Sequence, residues 1–147
     1  MTRYEELKEI FYQTIEDQCH GIYKQKAYFH SLQVSALCKK FALEKNLNIE
    51  LASIIGLFHD YASFIHHSSF NHALRSAEMI KPLLHNFSQK ECDIIIESIA
   101  NHSDKDRIDD IYSELLKDAD VLAQYLEEPD MIMKKDYQDR LKKYLPI

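Results

Sequence analysis

The segment Leu57-Phe58-His59-Asp60-Tyr61-Ala62 places an imidazole beside a carboxylate within a hydrophobic run. The spacing of the apolar residues predicts one helix over residues 48–64, and a helical wheel puts both His59 and Asp60 on inward positions. A buried aspartate is neutralised or paired unless a cation holds it, and Gly56 is expected to leave space beside this carboxylate. Taken alone, the doublet has two interpretations: a hydrogen-bonded pair in the core, or part of a metal site.

The rest of the chain has the pattern of a helical bundle. It contains 2 Gly and 3 Pro in 147 residues, its apolar residues recur at steps of three and four, and no strand alternation is visible. The predicted fold is all-α, with about six to seven helices in one domain over residues 1–147. The predicted helices are Tyr4–Gln18, Lys24–Lys45, 48–64, His72–Asn86, Gln89–Asn101, Ile111–Leu126 and a basic amphipathic helix, Met131–Tyr144, within about residues 130–145.

Local signals predict how three of these helices begin or end. Asn48 is a candidate N-cap for the helix that carries the doublet. Ser88-Gln89-Lys90-Glu91 has the spacing of a capping box. Pro82 lies late in its predicted helix and is expected to tighten or kink the last turn.

Charge and composition limit the partners of this chain. The net charge is −6 and Lys/Arg residues form no cluster, which argues against a nucleic-acid partner. No apolar run approaches the ~20 residues of a membrane span, and the N-terminus lacks a secretory hydrophobic core, so we predict a soluble, cytoplasmic protein. Cys19, Cys38 and Cys92 form no C-x-x-C pair and predict neither a disulfide framework nor a zinc ribbon. The sequence leaves open whether the chain forms a homo-oligomer.

Six polar residues fall on inward positions of the predicted helices: His30, His59, Asp60, His72, His102 and Asp120. Any one of them alone would more often be an ordinary core or surface residue, because histidine also occurs at His20 and His85. Imidazole and carboxylate ligands without thiolate suit Fe, Mn, Co, Ni or Mg better than a structural zinc. The set therefore predicts a site for one or two divalent metal ions.

The last of these ligands has two candidates. Asp118 lies closer on a helical wheel to the apolar stripe of its helix, whereas Asp120 completes an Ala-Asp pair. We prefer Asp120, because Ala-Asp is the pattern typical of the superfamily that the next motifs resemble.

The order of the six residues resembles the HD superfamily of metal-dependent phosphohydrolases over about residues 27–128. The resemblance implies an HD-type helical bundle, metal-ligand roles for all six residues, and a bridging, catalytic role for Asp60. Three motifs are similar to those of the YqeK-like group, which has a six-ligand, two-metal site and hydrolyses dinucleoside tetraphosphates symmetrically: Leu57-Phe58-His59-Asp60-Tyr61-Ala62-Ser63-Phe64, His72-Ala73 with Ser76-Ala77, and Ser98-Ile99-Ala100-Asn101-His102-Ser103.

The chain departs from that group at three points. Ser63 stands where the group usually has Lys, and Ala27 stands where it usually has Arg. The connection from the doublet helix to His72 is also much shorter. The missing cations predict weak binding of highly charged polyphosphates.

These features together predict a phosphohydrolase that acts on a nucleotide or small phosphoester through a metal-bound hydroxide. The substrate-binding candidates are His66, His67 and Arg75. Together with Lys105, they are also the nearest candidates in sequence to supply a proton or a positive charge to the leaving group. Two alternatives stay open at this point: a di-iron oxygenase of the same superfamily, and a non-catalytic metal- or nucleotide-binding module. In the second, a partner would meet the basic face of the last helix, formed by Lys134, Lys135, Arg140, Lys142 and Lys143.

Overall fold

Helices account for all the regular secondary structure in the part of the chain that the structure, a computed structural model, describes: residues 1–128, 130 and 134–146. The predicted all-α fold is confirmed. The elements are α1 (Arg3–Gln18), α2 (Gly21–Glu44), α3 (Ile49–Phe58), α4 (Tyr61–His66), α5 (His72–Ile80), a 3-10 turn (Lys81–Leu83), α6 (Gln89–Asn101), α7 (Ile111–Glu127) and α8 (Lys135–Leu141).

The predicted helix boundaries agree with the structure where a local signal sets them. The Asn48 side chain accepts a hydrogen bond from the Leu51 N–H at 3.0 Å and caps α3. Ser88 and Glu91 form the predicted capping box at the start of α6. The predicted helix from His72 ends earlier than expected, at Ile80, and continues as the 3-10 turn that contains Pro82, because proline removes a backbone donor and tightens the turn.

Helix α3 lies in the centre of the molecule, between α2, α6 and α7. All its side chains from Leu51 to Phe58 are buried. A Cβ atom added at Gly56 would lie 2.7 Å from the Ser35 Cα atom and 2.8 Å from the Val34 carbonyl oxygen. The space at Gly56 is therefore filled by the backbone of α2, and not, as we expected, left open beside the Asp60 carboxylate.

The prediction of one continuous helix over residues 48–64 is wrong at the His-Asp doublet. Helix α3 ends at Phe58, α4 begins at Tyr61, and Asp60 has φ −111° and ψ 18°, outside the helical region. In a continuous helix of 3.6 residues per turn, adjacent side chains diverge by about 100°. The break lets both side chains reach the same point, with the His59 Nε2 atom 3.1 Å from Asp60 Oδ2.

The C-terminal helix is shorter than predicted, and part of its basic face binds the chain itself. Residues 131–133 of the predicted helix lie outside the described residues, and α8 ends at Leu141. Arg140 is buried, with its Nη1 atom 2.9 Å from Asp118 Oδ1. The Lys143 Nζ atom and the Tyr144 hydroxyl lie 3.0 and 2.6 Å from the other Asp118 oxygen. Burial removes Arg140 from the surface that the non-catalytic alternative needed, whereas Lys143 stays exposed while its Nζ atom binds Asp118.

None of the described helices is long and apolar enough to cross a lipid bilayer. Cys19, Cys38 and Cys92 are free thiols.

Candidate metal centre

Five segments bring the six predicted residues to one place. His30 comes from the middle of α2, His59 and Asp60 from the break between α3 and α4, and Asp120 from α7. His72 is the first residue of α5 and His102 follows the last residue of α6. Two helix ends, the break, and the interior of α2 and of α7 thus point polar side chains into the centre of an apolar bundle.

One cluster of donor atoms forms on the α2 and α7 side. The His30 Nε2 atom lies 3.1 Å from both His59 Nε2 and Asp120 Oδ1. The Oδ2 atom of Asp60 lies 3.3 Å from His30 Nε2 and 3.1 Å from His59 Nε2. Each of the four residues offers one atom, all within 4.8 Å of one another, so the cluster could hold a metal ion.

A second cluster forms on the α5 and α6 side of the same aspartate. The Oδ1 atom of Asp60 lies 3.2 Å from His72 Nε2 and 3.1 Å from His102 Nε2, and those two nitrogens are 3.1 Å apart. These three residues could also hold a metal ion. Asp60 therefore contributes one oxygen to each cluster.

Hydrogen bonds on the outer side of each imidazole fix its orientation. The Nδ1 atoms of His59, His72 and His102 lie 2.7, 3.0 and 2.7 Å from the carbonyl oxygens three residues earlier, at Gly56, Ser69 and Ile99. Because a carbonyl oxygen can only accept, each Nδ1–H donates, and the lone pair of each neutral ring lies on the inward Nε2 atom. This arrangement is typical of histidines that bind metals.

The fourth imidazole, His30, is held by a carboxylate instead. Its Nδ1 atom lies 2.9 Å from Glu127 Oε2 and 3.0 Å from Oε1. A carboxylate in this position raises the basicity of the ring and selects the Nδ1–H tautomer. Sequence reasoning missed Glu127, although it lies seven residues after Asp120 and thus two turns further along the same face of α7.

The charges of the centre favour a cation between the side chains. Burial raises the pKa of Asp60 and of Asp120, but neighbouring cationic and hydrogen-bonding groups outweigh it and hold both well below the ordinary value. Burial lowers the pKa of His30, but hydrogen bonds to Asp120, Asp60 and Glu127 raise it to about 12. For His59, burial also lowers the pKa, and the charges of Asp60 and Asp120 raise it to about 9. The two carboxylates are thus ionised, and either protons or metal ions can balance them.

The donor set fits one or two hard or borderline divalent ions. It consists of four imidazole nitrogens and two carboxylates with no thiolate, which suits Fe, Mn, Co, Ni or Mg. His59 and His102 are almost fully buried, whereas the side chains of His72 and Asp60 keep 24% and 17% of their surface exposed. Solvent and small molecules therefore reach the centre from the side of His72.

Two further side chains donate hydrogen bonds to the Asp120 carboxylate. The Lys105 Nζ atom donates to Asp120 Oδ2 at 2.9 Å and to the His102 carbonyl oxygen at 2.5 Å. Gln124 donates to Asp120 Oδ1 at 3.2 Å. Lys105 is only 5% exposed, although a lysine in a charged loop is expected at the surface, and no local pattern in the sequence indicated its burial. Asp118, the alternative to Asp120, points away from the centre and binds Arg140.

A cavity of about 290 Å³ opens over the centre. Polar side chains line it, among them three of the candidate metal ligands: Asp60, Ser63, Ser69, His72, Ser103, Lys105, Asp120, Gln124 and Tyr137. The predicted substrate-binding residues His66, His67 and Arg75 are not among them. Arg75 donates to His66 at 2.5 Å, and the His67 ring stacks on Tyr23 with centroids 4.8 Å apart. Their proposed role in binding substrate stays a prediction.

The family model named HD domain matches residues 27–125. The chain belongs to the HD domain family. The match contains all six residues of the centre and confirms the predicted superfamily. HD domains are typically metal-dependent phosphohydrolases, and this one carries two clusters that could bind metal.

Several curated relatives carry the same domain within much longer chains. Ribonuclease Y of Geobacter sulfurreducens is 30% identical over 102 residues, which cover 69% of this chain and 18% of that protein. Ribonuclease Y of Lawsonia intracellularis is 29% identical over 102 residues, which cover 69% of this chain and 19% of that protein. This HD domain chain thus spans less than a fifth of their length. No solved structure matches it.

Proposed function

We propose that this protein is a metal-dependent phosphohydrolase acting on a nucleotide or another small phosphoester. The observation that carries the proposal is the position of Asp60, whose two oxygens lie 3.1 Å from His59 Nε2 on one side and 3.1 Å from His102 Nε2 on the other. A carboxylate shared in this way between two imidazole-rich clusters suits a pair of adjacent divalent ions. Such ions supply water activation and clamp phosphoryl oxygens for in-line displacement.

The residues of the chain would orient the substrate around that centre. Hydroxyl groups of Ser63, Ser69 and Ser103 line the cavity and can donate to phosphoryl oxygens. Lys105 alone among the described lining residues carries a permanent positive charge, and its two observed hydrogen bonds hold it against Asp120 and the His102 carbonyl. It therefore offsets negative charge at the centre and fixes Asp120 with one oxygen facing His30.

The resemblance to the YqeK-like group bears on which phosphorylated substrate we propose. Ser63 lines the cavity, so a lysine there could reach a phosphate, whereas Ala27 is fully buried. Each charged hydrogen bond to a phosphate is worth about 1.5 to 3 kcal/mol. Without these two cations, we expect monophosphates and small phosphoesters to be handled better than dinucleoside tetraphosphates.

The names of the relatives make RNA the second substrate class to test. Against it stands the charge of this chain, with 18 Lys and Arg against 24 Asp and Glu, since polyanion binding depends on neutralising many phosphates. A cytoplasmic location stays a prediction, and the oligomeric state stays open.

The test is a screen of phosphorylated metabolites and a short single-stranded RNA, using protein purified without chelator and then reloaded with Mn²⁺, Fe²⁺, Co²⁺, Ni²⁺ or Mg²⁺. The proposal predicts phosphate release from a small phosphoester that chelator abolishes and metal restores. Folded, metal-loaded protein without turnover would favour the non-catalytic module, and oxygen consumption without phosphate release would favour the di-iron oxygenase.

A further inference from the structure

A groove beside the metal centre runs along the outer face of α2. Five residues at helical spacing form one wall: Ile22, Gln25, Lys26, Phe29 and His30. Phe64 of α4 and the last two carboxylates of the α7 segment, Glu127 and Glu128, complete the lining. The groove has a volume of about 560 Å³, which lies in the range of small-molecule sites.

The groove adjoins the cavity over the metal centre along three elements. His30 lines the groove, and its Nε2 atom belongs to the first metal cluster. On α4, Ser63 lines the cavity and the next residue, Phe64, lines the groove. On α7, Gln124 lines the cavity, and Glu127, about one turn later, lines the groove. A ligand with its phosphoryl group at the metals can therefore extend into the groove.

The chemistry of the groove is that of a site for a flat, uncharged group. The Phe29 and Ile22 side chains are exposed, at 61% and 58%, although both are large and apolar. Gln25 adds an amide that can both donate and accept. The charged lining residues described are Lys26, Glu127 and Glu128, and Glu127 is already bound to His30. The groove therefore carries no excess of positive charge that would attract a second phosphate.

We propose that this groove binds the nucleobase of a nucleoside phosphate while the phosphoryl group lies at the metal centre. The inference rests on the proposed function and specifies its substrate class. The Phe29 ring gives the base a stacking surface, a contact that every base can make, and the Gln25 amide can bind polar atoms on its edge. A sugar phosphate without a base would leave the apolar surface unused, and a polyphosphate chain would meet Glu128.

The test compares two ligands that differ only in the base, adenosine 5′-monophosphate and ribose 5-phosphate, on manganese-loaded protein. Phe29→Ala is the variant, because an exposed side chain can be removed without opening the core. Leu43→Ala is the matched control, since Leu43 is 59% exposed on the same helix but does not line the groove. Phe29→Tyr keeps an aromatic ring and should rescue binding. The readouts are KM and kcat for both ligands and, independently of turnover, the Kd of each by calorimetry.

Phe29→Ala should raise the Kd and KM for the adenosine monophosphate about tenfold, as expected for the loss of one stacking contact, and leave those for ribose 5-phosphate unchanged. Leu43→Ala and Phe29→Tyr should behave as the wild type. Equal losses for both ligands, or none for either, would overturn the groove assignment while leaving the phosphohydrolase intact. If neither ligand is hydrolysed, the Kd values still decide: selective weakening by Phe29→Ala supports the groove, and absence of nucleotide binding refutes it.

Discussion

Glu127 binds the outer nitrogen of His30 with both carboxylate oxygens, at 2.9 and 3.0 Å, on the side of the ring opposite to the Nε2 atom that faces Asp120. The side chain therefore acts on the centre through His30, and Glu127 is a positioning residue. It belongs to the last turn of α7, beyond the residues matched by the family model.

Replacing Glu127 by Ala should weaken metal binding about 10- to 100-fold, the usual cost of removing such an outer carboxylate. The helical fold should survive, because Glu127 lies at the end of its helix. Metal titration followed by calorimetry checks this, with the adjacent Glu128→Ala as control. Equal affinities for the two variants would show that the His30 ring is held by packing alone.

Replacing Gly56 by Ala should destabilise the fold by about 1 to 3 kcal/mol, because the added methyl group would overlap the backbone of α2. It should also weaken metal binding, since the Gly56 carbonyl accepts the Nδ1–H of His59 at 2.7 Å. Urea unfolding and metal titration measure the two effects. A variant as stable as the wild type would mean that α3 can move away from α2 without cost.

The sequence was sufficient where the determinants are local. The Asn48 cap and the Ser88-Glu91 capping box depend on residues three apart, and both form as predicted. Helical periodicity predicted five of the inward positions, Asp120 was preferred over Asp118 for its Ala-Asp pattern, and the structure places all six residues around one centre. The break at His59-Asp60 could not be predicted, because it depends on how α3 and α4 pack against helices distant in sequence.

Proximity in sequence identified only part of the rim of the site, because of the four residues named in this way Lys105 alone lines the cavity. His66 and His67 lie close to the doublet in the chain, yet His67 stacks on Tyr23 and neither lines the cavity over the centre. Lys105 reaches Asp120 because the loop after α6 folds back towards α7, a contact across 15 residues. Such contacts depend on tertiary packing, which helical periodicity does not report.

The Glu91 carboxylate gives a pH-dependent contribution to stability. Hydrogen bonds from Arg3 and then from the Ser88 N–H lower its pKa from 4.5 to about 2, and Arg3 also binds Glu50. A lowered carboxylate pKa stabilises the fold above pH 4.5, and this contribution is lost as the pH falls through about 2.

Glu91→Gln should therefore be less stable than the wild type near neutral pH, and the difference should disappear as the pH falls through that window. Glu97→Gln changes an exposed carboxylate on the same helix and serves as control. Unfolding free energies over a pH series provide the measurement. A difference that persists in acid would assign the effect to the lost capping geometry instead.

Installing Ser63→Lys should lower the KM for a dinucleoside tetraphosphate by roughly tenfold, the value of one charged hydrogen bond. Ser63 lines the cavity over the centre, so the new ammonium can reach bound phosphate. The KM for a monophosphate should change much less. Efficient tetraphosphate cleavage by the unmodified protein would show that other side chains already supply the charge, with His66, His67 and Arg75 as the first to test.

The most direct test of the paired centre is its metal content, measured by mass spectrometry after loading with manganese. We expect two equivalents in the wild type and in His85→Ala, which changes an exposed histidine. His72→Ala and His102→Ala should each retain one, because they belong to the second cluster only. Asp60→Ala should lose both the pairing and phosphatase activity. Two equivalents in all of these variants would contradict the assignment of Asp60 as the residue shared by two metal ions.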